Sequence, residues 1–546
     1  MIALARRFLR RHPSAWLALL GGACLGGATP PFDLYPLVFV GLVALALASR
    51  EAEDSRAGLG ASRLCASWFG AWWLFAATAN VIGLRFVPSV LVKFTPLGTA
   101  PAIGMHLLLG AAQALAWGCG GALAVLLMRR LRAPLELAMC AGVLLATSLP
   151  GVFPWTVAAI LSPWPLVVQG ADVVGERGLT ALFAAGAAAL LRAPELRNAA
   201  ATPASKRSAA AALAVTGGTL AAMLGYGAWS LARWSEPGAP SDQTRLALVH
   251  AGIEATMRWD PRRAPQIVSL LRRETAEAEL AGIDLSVWPE AAYPYPLRHG
   301  ERFTPGGQRE IVGGAVDGPV LFGFIAHEPQ RRGEDGGVLQ DSYNSASVTF
   351  ADRSMTASYD KLELLWFGET VPLGSAVPWL RRTFQRGGGL LPGAEPRALE
   401  VPRAAKTTLR LGVLNCYEDT LPDLGRRIVR ALGPNLLVNV TNDAWFEGTV
   451  EPELHFRLAV MRAIELRRDL VRAVNLGVSG HVDAAGVVRA RRDDAKPGFL
   501  VVTPSLRDDE PTIYARFGDA PSWALVFLAS AASWLRTRRR RAGDGR

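Results

Sequence analysis

Between about residue 235 and residue 519 the chain has a single cysteine, Cys416, out of 5 in all 546 residues. A lone thiol cannot close an internal disulfide, so covalent stapling is excluded for this stretch and the residue needs another reason, of which chemistry is the best. The other four, Cys24, Cys65, Cys119 and Cys140, fall in apolar runs, where the thiol behaves as a small apolar side chain. No Cys-x-x-Cys pair, His-Glu-x-x-His run or Walker loop occurs, and the 7 histidines are scattered, so no metal or cofactor site is expected. The Gly-rich runs from Gly21 to Gly27 and from Gly118 to Gly121 lie inside apolar segments and read as close-packing helix surfaces rather than phosphate cradles. Acidic residues are scarce from residue 14 to about 232, which disfavours a transporter, because ion and substrate pathways use intramembrane charge.

What the chain does have is apolar bulk. Half of it is hydrophobic, too much for one ordinary soluble domain of this length. Candidate membrane spans fall near 14–30, 34–49, 64–85, 102–128, 134–150, 178–191, 208–231 and 520–535, about eight in all. The expected organisation is residues 1–234 as about seven transmembrane helices, 235–519 as a polar extracytoplasmic domain, and 520–546 as a last helix with a basic cytoplasmic tail. With both termini inside, the cytoplasmic segments collect Arg6, Arg7, Arg10, Arg11, Arg50, Arg56, Arg63, Arg129, Arg130, Arg132, Arg192, Arg197, Lys206, Arg207, Arg536 and Arg538 to Arg541. The short outside loops offer Arg85, Lys93 and Arg177. That bias, roughly twenty against three, places the polar domain outside. It also accounts for most of the net charge of +11 without a nucleic-acid partner. Gly26-Gly27-Ala28-Thr29-Pro30-Pro31 lacks a small-residue cleavage site, so the first span is read as a helix.

From 244 to 505 short apolar runs alternate with helix-like stretches, the pattern of an α/β layered domain. Strands are expected at Leu246–His250, Leu285–Trp288, Val320–Ala326, Ser345–Phe350, Leu409–Asn415, Leu436–Val440 and Leu470–Val474, and helices at Pro265–Leu280 and Pro452–Arg467. Three segments concentrate reactive residue types. Trp288-Pro289-Glu290 places a carboxylate just after a strand; Lys361 and Glu369 flank an apolar insert; and Asn415-Cys416-Tyr417-Glu418 ends a strand in a thiol. Taken singly, each has a bland reading as a surface ion pair or a buried inert cysteine.

Taken together, the ordered Glu, Lys and Cys resemble the nitrilase, or carbon–nitrogen hydrolase, superfamily. The flanking spans narrow the resemblance to its membrane-embedded branch, the apolipoprotein N-acyltransferases, as do Trp-Pro-Glu-x-Ala, Phe367-Gly368-Glu369-x-Val371-Pro372, Cys416-Tyr417-Glu418, Thr441-Asn442-Asp443-Ala444-Trp445-Phe446 and Arg258-Trp259-Asp260-Pro261. The expected fold is then a multi-span α-helical membrane domain plus an α/β nitrilase-like αββα sandwich. The resemblance implies Cys416 as nucleophile, Glu290 as its base and Lys361 as charge balance and oxyanion donor, with Glu369, Tyr417, Glu418, Trp259 and Asn344 in support. It implies a phospholipid acyl donor, diacylglyceryl-modified apolipoproteins as acceptors, no cofactor, and a monomer in the bacterial inner membrane. A lipid groove is expected along Leu364, Leu365, Trp366, Phe367, Leu390 and Leu391, with Gly387-Gly388-Gly389 as the hinge of a mobile arm or as an ordinary surface loop. The chain departs from the family pattern at 249–255, 361–366 and 474–479. The alternatives are a membrane-tethered amidase, a divergent paralogue and a non-enzymatic scaffold.

Overall fold

The computed structural model describes residues 12–54, 61–254, 257–258, 260–332, 338–372, 376–384, 389–403 and 406–543. The chain divides into two compact units, residues 1–89, 98–229 and 517–546 in one, and residues 90–97 and 230–516 in the other.

The first unit is helical. Thr99–Leu131, Ala171–Arg197 and Pro203–Trp234 are long and apolar enough to cross a bilayer, and the bent pair Ser62–Gly83 with Val87–Phe94 makes a fourth if counted as one span. Helices also form over Pro13–Gly27, Leu37–Asp54, Leu135–Ser148 and Ala520–Gly543, so every apolar segment read from the sequence is helical. The protein is a membrane protein. Its glycines let backbones touch: a Cβ on Gly120 would lie 2.3 Å from the Gly142 carbonyl oxygen, and one on Gly21 would lie 2.9 Å from that of Gly41.

Among its described residues the second unit holds fifteen strands. In chain order they are β1 (Leu246–His250), β2 (Leu285–Val287), β3 (Leu297–Arg298), β4 (Val320–His327), β5 (Arg331–Arg332), β6 (Val338–Leu339), β7 (Ser342–Thr349) and β8 (Tyr359–Asp360). There follow β9 (Ala398–Val401), β10 (Leu409–Asn415), β11 (Leu436–Thr441), β12 (Leu470–Val474), β13 (Ser479–Val482), β14 (Val488–Arg492) and β15 (Gly498–Val502). One large sheet runs β15-β1-β2-β4-β7-β8 with β3 beside β4, a second runs β14-β13-β12-β11-β10-β9, and β5 and β6 pair in a two-stranded ribbon. Each large sheet has a parallel centre, β1-β2-β4 or β10-β11-β12, and antiparallel flanks.

Period-two alternation decides how the layers stack. Leu246, Leu248, Leu285, Val287 and Leu321 of the first sheet share one core with Leu411, Val413, Leu436, Val438 and Val471 of the second. The opposite face of the first sheet, with Val249, Val320, Phe322 and Phe324, packs on Ile267, Val268 and Leu271 of the helix Ala264–Glu279. Helices Pro422–Leu432 and Glu451–Leu466 pack on the second sheet. The result is an αββα sandwich. Each buried Leu or Val contributes about 1.5–3 kcal/mol when taken from water, so this core, and not surface ion pairing, sets the register of the two sheets.

Candidate active site

The three reactive segments lie at strand ends. After β2, Trp288 is fully buried and its Nε1–H donates to Thr275 Oγ1 at 2.8 Å, which fixes where the following turn begins. Ala291 then takes φ +46, turning the chain so that Glu290 is directed inward. Gly323 on β4 makes room for this turn, since a Cβ there would lie 2.5 Å from the Ala291 nitrogen. Glu290 is 7% exposed and has four partners. Its Oε1 accepts from Asn344 Nδ2 at 2.7 Å and Lys361 Nζ at 3.3 Å, and its Oε2 accepts from the Asn442 N–H at 3.0 Å. Arg258, also buried, adds its positive charge.

Lys361 follows β8 and is pinned by its backbone: its N–H donates to the Asn344 carbonyl at 2.8 Å and its carbonyl accepts from Gly393 at 2.8 Å. The ammonium lies between two carboxylates, 3.3 Å from Glu290 and 2.8 Å from Glu369, and 5.7 Å from the centre of the Tyr417 ring. Glu369 is held by Asn344 Nδ2 at 3.0 Å and by the Leu365 N–H at 2.9 Å.

Cys416 ends β10 in the left-handed region, φ +55, a conformation that costs a non-glycine residue about 1–2 kcal/mol and swings the side chain out of the strand's alternation. Its neighbours hold it there. Asn439 Nδ2 donates to the carbonyls of Leu414 at 3.1 Å and Cys416 at 2.8 Å. Glu418 accepts from the Asn415 N–H and the Tyr359 hydroxyl, each at 2.7 Å, and from the N–H groups of Leu362 at 2.7 Å and Glu363 at 3.0 Å. Burial pushes Glu418 up to about 7, but four donors occupy it, so it is an anchor between the thiol turn and the lysine segment. Asn415 Nδ2 donates to Asn344 Oδ1 at 3.1 Å, which ties the thiol strand directly to the side chain that grips both carboxylates.

The electrostatics set the resting protonation. Burial raises the Cys416 thiol well above its ordinary range and the Glu290 charge adds to this, while Lys361 opposes both. The thiol is therefore protonated at rest. Burial also raises Glu290, with Lys361 pulling it down and Glu369 pushing it up. Burial works against the Lys361 ammonium, yet the two carboxylates hold it well above its ordinary value. A proton moving from Cys416 to Glu290 leaves the net charge of the cluster unchanged, so internal transfer avoids the cost of creating a further buried anion.

The Carbon-nitrogen hydrolase family matches residues 245–508, and the Apolipoprotein N-acyltransferase N-terminal domain matches residues 21–189. Among curated relatives, the apolipoprotein N-acyltransferase of Rhodopseudomonas palustris is 31% identical over 544 residues, 96% of this chain and 95% of the relative. Those of Bradyrhizobium diazoefficiens, 31% identical over 97% of this chain and 96% of the relative, and of Geobacter metallireducens, 32% identical over 71% of each, agree with it. The chain belongs to the apolipoprotein N-acyltransferase family.

In this family member the structure brings Glu290, Lys361, Glu369, Asn344, Tyr417 and Glu418 into one connected group with the Cys416 turn. Trp259 and Gly388 lie outside the described residues. Of the expected groove residues, Leu364 is buried and its carbonyl accepts from the Tyr417 hydroxyl at 3.2 Å. Leu365 and Leu390 are half-buried, and Phe367 packs on Phe384 with ring centres 4.9 Å apart. Trp366 and Leu391 are exposed, as are Val377 and Trp379, which the sequence reading did not include. The departures at 249–255 and 474–479 meet in space: the Asn475 side chain donates to the Ile253 carbonyl at 2.6 Å and accepts from the Ile253 N–H at 2.9 Å.

Arg258, Asn415, Asn439 and Asn442 were not among the expected site residues. Their signal was present, because Asn415 ends the strand that leads to Cys416 while Asn439 lies on the adjacent β11 and Asn442 just follows it, but an amide side chain gives no hint in sequence of which group it will hold. A segment distant in sequence packs near Asn442: the Phe94 ring lies tilted against that of Trp445 with ring centres 4.5 Å apart, and Lys93 pairs with Glu447 at 3.5 Å. Among the described residues, Asp443, Glu451 and His455 bring ligand-type atoms within 4.8 Å of one another and are the group with metal-like spacing.

Proposed function

We propose that this chain moves a fatty acyl chain from a phospholipid, by way of a thioester on Cys416, to the N-terminal amine of diacylglyceryl-cysteine on apolipoproteins, and that its α/β unit works on the outer face of the bacterial inner membrane. The observation that carries the reading is the buried Glu290–Lys361–Glu369 cluster coupled to a strained, strand-end thiol. The positive-inside arginine bias supports the sidedness.

In the first half-reaction Glu290 takes the Cys416 proton as Sγ attacks the acyl carbonyl. Protonation weakens Glu290's hold on Lys361 Nζ, which frees a donor for the oxyanion together with a backbone N–H after Cys416. The ester C–O bond breaks, and Glu290 returns its proton to the leaving lysophospholipid oxygen. In the second, the lipoprotein amine attacks the thioester, Glu290 takes a proton from it, the C–S bond breaks, and the proton passes to the thiolate. The product is an N-acylated, triacylated lipoprotein and a restored thiol. Trp366, Trp379, Val377 and Leu391 offer exposed apolar surface for the acyl chain.

The test is expression in a bacterium depleted of its own N-acyltransferase, followed by mass analysis of lipoprotein N-termini. N-acylated termini with the wild-type chain and none with Cys416→Ala support the reading. Hydrolysis of a small amide without N-acylation, or N-acylation that survives Cys416→Ala, overturns it.

A further inference from the structure

Behind the thiol turn lies a second buried charge cluster that the steps above do not use. His455, on the helix Glu451–Leu466, is 3% exposed, so both ring nitrogens must find partners inside the protein. Its Nε2 lies 2.9 Å from Asp419 Oδ1, and its Nδ1 lies 3.2 Å from Asp443 Oδ1 and 3.8 Å from Glu451 Oε1. Arg472 on β12 pairs with Asp419 and approaches Asp443 Oδ2 at 3.9 Å. Asp419, Asp443 and Arg472 are fully buried.

Chain position gives the cluster its meaning. Asp419 belongs to the same short turn as Cys416, Cys416–Thr420. Asp443 directly follows Asn442, whose N–H holds Glu290 Oε2 at 3.0 Å. One imidazole therefore joins the turn that carries the thiol to the turn that grips its base. An imidazole with a carboxylate at each nitrogen donates from both and is the cation. Burial works against that charge, but Asp419 and Asp443 outweigh it and carry His455 up to about 10. Burial and Asp443 push Glu451 up to about 8. At neutral pH two aspartates are then balanced by His455 and Arg472 beside a protonated Glu451, which is how five ionisable groups are accommodated out of water.

We infer that His455 is a positioning residue for acyl transfer, holding the Cys416 turn and the Glu290-binding turn at a fixed separation through Asp419 and Asp443. This rests on the acyl-transfer reading above. The spacing of Asp443, Glu451 and His455 also suits a divalent cation. The observations favour the network, because Nδ1 is within hydrogen-bond reach of Asp443 and the Arg472 guanidinium already supplies positive charge there.

The experiment uses the full chain in detergent, with His455→Ala, His455→Gln and Asp419→Asn compared with Leu399→Ala, a core change on β9. Single-turnover acylation of Cys416 by phospholipid is followed by mass spectrometry from pH 5 to 9, alongside the unfolding midpoint and the metal content. His455→Ala is expected to slow acylation about 10²-fold with the KM for phospholipid within about threefold, the signature of a misplaced reacting group. The acid limb should move to higher pH, because an Asn442 N–H out of place no longer stabilises the Glu290 carboxylate, whose other charged neighbours Lys361, Glu369, Arg258 and Cys416 are unaltered. His455→Gln, whose amide N–H group can still donate to one of the two aspartates, should recover about tenfold of the loss, and Asp419→Asn should move the limb the same way. Leu399→Ala, matched in midpoint, should leave the limb in place. A wild-type rate and limb in His455→Ala while Cys416→Ala is inert overturns the inference alone. So does one equivalent of divalent metal that His455→Ala removes. Acylation in Cys416→Ala overturns the underlying reading and the inference with it.

Discussion

The two sheets supply different kinds of chemistry. The first, through the turn after β2 and the segment after β8, brings the groups that titrate in front of the thiol: Glu290, Lys361 and Glu369. The second brings the proposed nucleophile together with Asn415, whose side chain holds that of Asn344, Asn439, whose side chain holds two carbonyls, and Asn442, whose backbone N–H holds the Glu290 carboxylate. The proposed acid–base groups and the proposed nucleophile are thus built on separate layers, and their alignment depends on the leucine and valine core between them plus a few polar bridges. That division teaches where the protein is fragile. A change within one layer should alter chemistry, whereas a change to a bridge should alter the alignment of two intact halves.

The largest effect tests the nucleophile's side. Cys416→Ala should reduce acyl transfer by at least about 10³-fold while the protein remains folded, as judged by an unchanged unfolding midpoint in detergent. On the other layer, Lys361→Met leaves Glu290 and Glu369 facing each other without a cation. It should cost about 10²–10³ in rate and about 3–5 kcal/mol in stability, readable in activity and denaturant titrations. Gly323→Ala adds no charge, but it forces the 289–291 backbone aside by a clash at 2.5 Å, so kcat should fall about 10²-fold for only about 1–3 kcal/mol of stability.

Smaller effects sharpen the comparison. Tyr359→Phe removes one of four donors to Glu418, a bridge between layers, and should cost about 1 kcal/mol of stability with a modest loss of rate. pH separates the front cluster from the one behind the thiol. His455 keeps its proton to about 10 when folded, against 6.5 for a free side chain, so its stabilising contribution is complete below about 6.5 and is lost as pH rises through about 10. Glu451, with 4.5 raised to about 8, acts in the same direction at lower pH. Unfolding free energy should therefore fall from pH 5 to pH 10, and His455→Gln should flatten the upper part of that slope.

The central strands were legible because they are buried on both faces. Leu246–His250, Leu409–Asn415 and Leu470–Val474 form at the expected bounds, since runs this rich in Leu and Val leave little choice of register. β14, Val488–Arg492, was missed because four of its five residues are charged or small and its side chains are largely solvent-facing. The helix Pro422–Leu432 went unread despite Pro422 at its start and Gly433 in the left-handed region just past its end, because three arginines break the run of apolar residues along the chain, although they lie away from the buried face of Leu424, Ile428 and Val429. At the site, the residue types Glu, Lys and Cys stood out one by one. What sequence could not disclose was the role of Asn344, one side chain gripping two carboxylates and the thiol strand, or the pairing of His455 with aspartates from two separate turns, since both depend on side chains that only the folded chain brings together.

The pairing of β15 with β1 carries one more consequence. β1 is the first strand of the domain to leave the ribosome, yet its outer edge is closed only when Gly498–Val502 arrives, after the whole second sheet has been synthesised. Until then β1 offers an open row of amides and carbonyls to any extended chain nearby. A nascent polypeptide arrested before residue 498 would carry every group proposed for catalysis and still present this sticky border, making the last fifty residues the step that commits the molecule to its finished shape.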